Sequence, residues 1–567
     1  MKNNSTLFTM LLALFIGKFS FAQRFVTEVF SNSQITITND VQYGQNFTVE
    51  PTVLAFLSGG TPAPPALSNL LMDVYAPSSG ADTMANRPLI VYIPTGNFLP
   101  PGYNASPVGD RKDSSAVNIA KQLARRGYVC AVIDYRKGWN PIAQQQVVRT
   151  GTILTAAFRG QQDSKAAVRY FRADRANANI YKIDANKVAL LGEGTGAYIA
   201  LAHAYLDKPW KIGRLPGIGD DKFLKSSNPD VSVIDTLFVG NFDGTNNITF
   251  DPTVFVQTED LTLVKGNIAN NPDYPSNVQL VINMGGALGD TSWMDPGQIP
   301  LIGIHAVRDF NAPYQIGDVI VPTTGDLVIP FASGAGLNLT MANAYNNNAS
   351  FANKIYNDPI TQAVEARYNT SVLFNGVSIE VGNGKGLLPF ILPGAAQPQF
   401  NHGSPWQFWS ATQPSAAFPV NTPIGTITSH QASCLSNPYM AQSDEVGRNT
   451  ALTYIDTVQK FIHPRVVCAL GLNECNLYET LGFENEKPGS NLVRLFPNPA
   501  SQMFSIAASK GTITSYQVID ITGKIVRTEN GIKENTVQVT TEGLAAGMYL
   551  VRFETTEGTG SANLILE

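Results

Sequence analysis

The chain has 567 residues, 44% of them hydrophobic and 15% charged, with a formal net charge of −5. A single hydrophobic core rarely grows beyond about 250–300 residues, so more than one domain is expected. No block of clustered Lys and Arg is present, which excludes the electrostatic footprint of a nucleic-acid binder.

In chain order, Met1-Lys2 and the apolar run "LFTMLLALFIG" precede "SFA", with small residues at Ser20 and Ala22. This is a signal peptide pattern, and cleavage is expected after Ala22, giving residues 1–22 as a leader. No later stretch holds about 18 uninterrupted apolar residues, so no membrane span is expected in the mature chain. From Asn69 onward, strands and helices alternate. "LLMDVYAP", "RPLIVYIP", "YVCAVIDYR", "KVALLGE", "VQLVINM" and "IPLIGIHAV" read as strands, "AVNIAKQLARRG", "QQDSKAAVRYFRAD" and "GAYIALAHAYL" as helices. Continuous apolar strands between helices predict a mostly parallel sheet covered on both faces, an α/β fold. Residues 313–400, rich in Asn, Gly and Pro, read as an irregular insertion near the sheet edge. "ALTYIDTVQKFIH" reads as a last helix ending before Pro464.

After the polar linker 482–491 the texture changes to a period of two, with breaks about every ten residues, in "QMFSIAAS", "SYQVIDITGKIVRT", "NTVQVTTEGL", "GMYLVRFETTEG" and "SANLILE". Alternation of this kind predicts a small all-β sandwich of about seven strands over residues 492–567. The preceding 23–481 form the α/β domain. Of the four cysteines, Cys130 sits in a buried strand pattern and is expected free. A disulfide is expected among Cys434, Cys468 and Cys475, with the pairing open. No metal-ligand spacing and no cofactor motif is present; "GNFDGTNN" from Gly240 reads as a turn rather than a calcium loop.

The stretch "KVALLGEGTGAYIALAHAYL" joins a strand to a helix through Gly192-Glu193-Gly194-Thr195-Gly196. It resembles the nucleophile elbow of the α/β-hydrolase family, in its secreted carboxylesterase and lipase-like branch, over roughly Asn69 to Leu470. On that pattern Gly192 and Gly196 are the flanking glycines, and Gly194 stands at the serine. Thr195 is one residue out of phase and points away. Pro94-Thr95-Gly96-Asn97-Phe98 takes the place of the family's H-G-G-G-F loop, so backbone N–H groups of Gly96, Asn97 and Thr195 are the expected oxyanion donors. The resemblance puts the triad acid at Asp309 and the histidine at His402, with His430 as the alternative. His203, His305 and His463 are expected to be structural. Trp293, Trp406 and Trp409 lie in loops near the expected pocket. Glycine at the elbow removes the attacking oxygen, which implies a degenerate domain that binds a small-molecule, ester or glycan ligand; an active carboxylester hydrolase with a displaced nucleophile is the alternative. A serine restored at residue 194 is expected to fit, since relatives build this turn around one.

"LFPNPASQMFSI", "QVIDITGKIV" and "GLAAGMYLVRF" are similar to the type A sorting domain of the type IX secretion system of Bacteroidetes. The resemblance implies export to the cell surface or the medium, with the type IX machinery as partner.

Overall fold

The computed structural model describes residues 23–478 and 493–567, apart from 58–59, 61–62, 102, 105, 214–221, 226–227, 252–256, 259–260, 263–264, 310, 322–324, 375, 383, 393–402, 410–422, 425–426, 429–442 and 521–523. The expected leader, residues 1–22, and the linker 482–491 lie outside the described residues. The chain divides into two compact units, residues 1–478 and 479–567.

The first unit is built on an eight-stranded sheet. Its strands are β1 (Ile35–Thr48), β2 (Ala66–Pro77), β3 (Arg87–Ile93), β4 (Val129–Ile133), β5 (Ile183–Glu193), β6 (Leu280–Met284), β7 (Leu301–Ala306) and β8 (Leu387–Phe390). They lie in the order β1-β2-β4-β3-β5-β6-β7-β8. β1 and β2 run antiparallel to their neighbours, and β3 to β8 are parallel. This is the α/β-hydrolase sheet. Every residue of β3, β4, β6 and β7 is buried, because helices cover both faces.

Side chains alternate between the two faces. Leu89, Val91 and Ile93 of β3 join one core with Phe158 and Phe171 of α2 (Gln146–Ala176) and Ile199 of α3 (Thr195–Tyr205). Ile90 and Tyr92 join the other, with Ile119 and Leu123 of α1 (Ser114–Arg125) and Ile455 and Phe461 from the last long helix. α1 ends as expected before Gly127, which has a φ of 103°.

Three expectations about elements need correction. α2 begins at Gln146, not at Gln161. Its first half carries Gly151 and Gly160, which weaken helical propensity, yet a β-carbon at Gly160 would stand 2.5 Å from Ile199 Cδ1. The glycine lets α3 approach, and that packing sustains the turn. Residues 313–400 are not uniformly irregular. They hold a hairpin (Ile316–Ile320 with Leu327–Ser333), α4 (Ala335–Ala344) and sheet strand β8. The final helix, α5 (Asp444–Ala469), runs through Pro464. Proline costs a helix interior about 3 kcal/mol. Phe461, Ile462, Val466 and Val467 are all fully buried around it, each stabilising by about 1.5–3 kcal/mol. Cys468, one residue before the end of α5, is disulfide-bonded to Cys475, and Cys130 is free and buried. Cys434 lies outside the described residues.

The second unit has seven strands: β9 (Val493–Phe496), β10 (Met503–Ala508), β11 (Ile513–Asp520), β12 (Ile525–Glu534), β13 (Thr536–Thr540), β14 (Gly547–Thr555) and β15 (Gly558–Leu566). They form two antiparallel sheets, β9-β10-β13 and β12-β11-β14-β15. The period-two pattern is realised in β14, where Tyr549, Val551, Phe553 and Thr555 are buried. Among the described residues no helix is long and apolar enough to cross a membrane.

Candidate active site: an elbow with its hydroxyl on the facing loop

The candidate site lies at the carboxyl ends of β3, β5 and β7. β5 ends at Glu193, Gly194 makes the turn, and α3 starts at Thr195. Gly194 has φ 54° and ψ −118°, outside the regions open to ordinary residues. Its N–H donates to the Met284 carbonyl at the end of β6 (2.8 Å), and its carbonyl accepts from Ala197 (3.0 Å). The flanking glycines are required by space. A β-carbon at Gly192 would stand 2.5 Å from the Cα of Ala197, and one at Gly196 would stand 2.6 Å from the carbonyl carbon of Ile93. The strand, turn and helix therefore keep the full elbow conformation without a side chain at its apex.

Glu193 is the best-anchored side chain here. It is 2% exposed and accepts from Tyr92 Oη (2.5 Å), Trp406 Nε1 (2.9 Å) and Gln407 Nε2 (2.7 Å). It is a support for the turn. Trp406 is thereby committed to holding Glu193, and Trp293 donates to the Lys211 carbonyl (2.8 Å) while packing on Phe223. Neither indole presents a free ring face for a sugar, and Trp409 is buried as well.

The facing loop follows β3. A β-carbon on residue 194 would overlap the Thr95 hydroxyl and stand 3.0 Å from Thr95 Cβ. The expectation that a serine at 194 fits the turn is thus corrected, because the Thr95 side chain already occupies that space. Asn97 and Phe98 adopt positive φ, 51° and 53°. They are held there by Trp139 Nε1 donating to the Asn97 carbonyl (2.9 Å), by Asn97 Nδ2 donating to the Asn104 carbonyl (2.7 Å), and by the Gly138 N–H donating to the Phe98 carbonyl (2.8 Å). Beneath them, Lys137 Nζ donates to the Gly109 carbonyl (2.7 Å), and Asp113 accepts from the N–H groups of Gly109 and Asp110. Burial pushes the Asp113 carboxyl up to about 7. Among the described residues, none accepts from the backbone N–H of Gly96, Asn97 or Thr195. The Thr195 hydroxyl is engaged with Tyr135 Oη (3.3 Å).

Asp309 follows β7, with a side chain 4% exposed. It accepts from the N–H of Asn311 (2.8 Å) and Ala312 (3.3 Å). Burial raises its pKa, and neighbouring His305 and those two N–H groups work against the rise. His305 Nε2 is 3.1 Å from the Ala312 carbonyl and 3.7 Å from the Asp309 carboxylate; burial lowers its pKa, and Asp309 and the Ala312 carbonyl work against the fall. A β-carbon at Gly403 would stand 2.9 Å from both Asp309 oxygens, so the backbone at Gly403 lies directly against the carboxylate. His402 and His430 both lie outside the described residues. His203 and His463 are buried in helices and bonded to Ser164 and Ser276, and to Gln459, respectively.

The turn from Gly240 closes on itself, Asn241 capping the Thr245 N–H, while Asp243 pairs with Lys165 at 2.7 Å. No cluster of metal-ligating side chains is present among the described residues. Sequence reasoning noted the Pro-Thr replacement in the loop but missed that Thr95 faces Gly194, and missed Tyr92 and Gln407 as partners of Glu193.

Residues 72–274 match the BD-FAE family model, and residues 494–567 match the model described as "Secretion system C-terminal sorting domain". No curated protein matches the chain. Among solved structures, butyrate-bound esterase 2 of Thermogutta terrifontis has a TM-score of 0.24 and 14% identity, over 44% of this chain and 70% of that one. MGS-M1, an alpha/beta hydrolase enzyme from a Medee basin deep-sea metagenome library, has a TM-score of 0.23 and 11% identity, over 49% and 72%. Likenesses this distant add nothing to what the sheet order and elbow already establish. The chain carries a BD-FAE domain of α/β-hydrolase fold and, C-terminal to it, a type IX secretion sorting domain.

Proposed function

We propose that residues 23–481 form an exported domain that holds a carboxylic ester at its elbow without serine-based acyl transfer, and that residues 492–567 take it across the outer membrane once the 1–22 leader is removed. The observation that carries this reading is the apex of the elbow. Gly194 supplies no oxygen, and acyl transfer through the elbow has no first step without one. The open N–H groups of Gly96, Asn97 and Thr195 are what a bound ester carbonyl would meet, with Asp309 as the acid and His402 as the histidine of the former triad.

The test is hydrolysis of p-nitrophenyl butyrate by the mature chain, together with equilibrium binding of its amide analogue, N-(4-nitrophenyl)butyramide. Binding is expected. Steady turnover is expected to stay within the residual ~10³–10⁴-fold over water that oxyanion donors and binding supply without a triad serine. Steady turnover in the ordinary enzymatic range of about 1–10³ s⁻¹ refutes the reading. The alternative, an active carboxylester hydrolase with a displaced nucleophile, is favoured by one observation, the Thr95 hydroxyl beside Gly194.

A further inference from the structure

The side chain missing from the elbow has a counterpart across the gap. The Thr95 hydroxyl occupies the space of a β-carbon on residue 194, with Thr95 Cβ 3.0 Å from that position. Thr95 is half-buried, and among the described residues none hydrogen-bonds its hydroxyl. The loop that carries it is fixed on both sides: Ile93 and Pro94 pack against Gly196 at the start of α3, and Trp139 and Gly138 bond the Asn97 and Phe98 carbonyls. A nucleophile needs this kind of fixed placement, since a well-oriented reactant pair avoids most of the entropy of encounter. Of the three N–H groups without an acceptor among the described residues, those of Gly96 and Asn97 follow Thr95 directly in the chain and that of Thr195 follows Gly194. Asp309 lies against Gly403.

We propose that Thr95 is the acyl-accepting hydroxyl of this site, taking the acyl group of a small, activated carboxylic ester. This rests on the ester-binding reading above. Thr95 Oγ1 bonds to the ester carbonyl carbon, the carbon–oxygen bond to the leaving group breaks, and the hydroxyl proton ends on the departing alkoxide, which leaves as the alcohol. Water then cleaves the threonyl ester to the free acid and restores Thr95. The hydroxyl is secondary and crowded by its own methyl, so the second step is slow and the acylated chain accumulates. The site therefore gives a stoichiometric burst with little steady turnover.

The experiment uses the mature full-length chain and p-nitrophenyl butyrate, with a fluorophosphonate in a parallel arm. Expected is one equivalent of p-nitrophenol released per chain, and a butyryl or phosphonyl group on the peptide containing Thr95. Thr95→Val, close in shape and lacking the hydroxyl, abolishes both burst and label. Thr95→Ser retains them and speeds the burst, which separates a chemical role from a folding defect. Label on another residue, or no label while the amide analogue still binds, overturns the role of Thr95 and leaves the ester-binding reading in place. Absence of both label and analogue binding overturns both. A steady turnover in the enzymatic range of about 1–10³ s⁻¹ that is indifferent to Thr95→Val also overturns both.

Discussion

Exchanging the side chains of residues 95 and 194 measures how tightly the two positions are coupled. In Gly194→Ser the new β-carbon overlaps the Thr95 hydroxyl and lies 3.0 Å from Thr95 Cβ. Overpacking of this kind costs about 1–3 kcal/mol. The φ of 54° with ψ of −118° adds about 1–3 kcal/mol for a residue with a side chain. The single variant should therefore lose about 2–6 kcal/mol of stability. In Thr95→Gly with Gly194→Ser the overlap is gone and the backbone strain remains. The double variant should thus be more stable than the sum of the single effects allows, by about 1–3 kcal/mol, the range found for residues in contact. Urea unfolding of the wild type, both single variants and the double variant gives the coupling energy directly. Additivity within about 0.5 kcal/mol refutes the claim that Thr95 fills the space of a side chain on residue 194. The same four proteins, assayed on p-nitrophenyl butyrate, show whether a serine at the elbow supports turnover. Only the double variant is expected to gain it, and loss of that gain on adding His402→Ala would assign the histidine.

Other outcomes are expected on independent grounds. Glu193→Ala strips the acceptor from Tyr92, Trp406 and Gln407. Each orphaned buried donor costs about 1–3 kcal/mol, so the denaturation midpoint should fall steeply, whereas a midpoint close to wild type would contradict the support role. His203 is fully buried, and burial depresses its pKa from 6.5 to about 3, so the folded chain refuses a proton that the unfolded chain accepts. Its contribution to stability is complete above about pH 6.5 and is lost as the pH falls toward 3, by about 2 kcal/mol at pH 5. His463, held neutral by burial in the same way, adds to that slope. His203→Gln should make stability visibly less dependent on pH between 6.5 and 5, and an unchanged slope would contradict the assignment. Deleting residues 492–567 should keep the protein in the periplasm with its first unit folded, since that unit has its own two cores. Normal appearance of the truncated chain in the medium would refute the sorting role.

The sequence by itself determined the layered α/β architecture and the sandwich behind it. Runs such as "RPLIVYI" and "YVCAVI" have no polar face to expose, so they belong in a sheet covered on both sides. "GMYLVRFET" alternates so strictly that one of its faces must be dry. The elbow was legible because its glycines obey local rules. Two of them are demanded by the close approach of helix and strand, and the third marks a turn no other residue enters cheaply. Length of α2 and continuation of α5 through Pro464 were not legible, because in each the local preference is outweighed by packing against elements far away in the chain. Only the tertiary structure decided the chemistry of the site. Thr95 and Gly194 are 99 positions apart, and neither residue type signals the other. Their relation exists solely because parallel β3 and β5 are hydrogen-bonded neighbours and end at the same level, Ile93 beside Gly192, which brings the next residues of each strand into one another's van der Waals space.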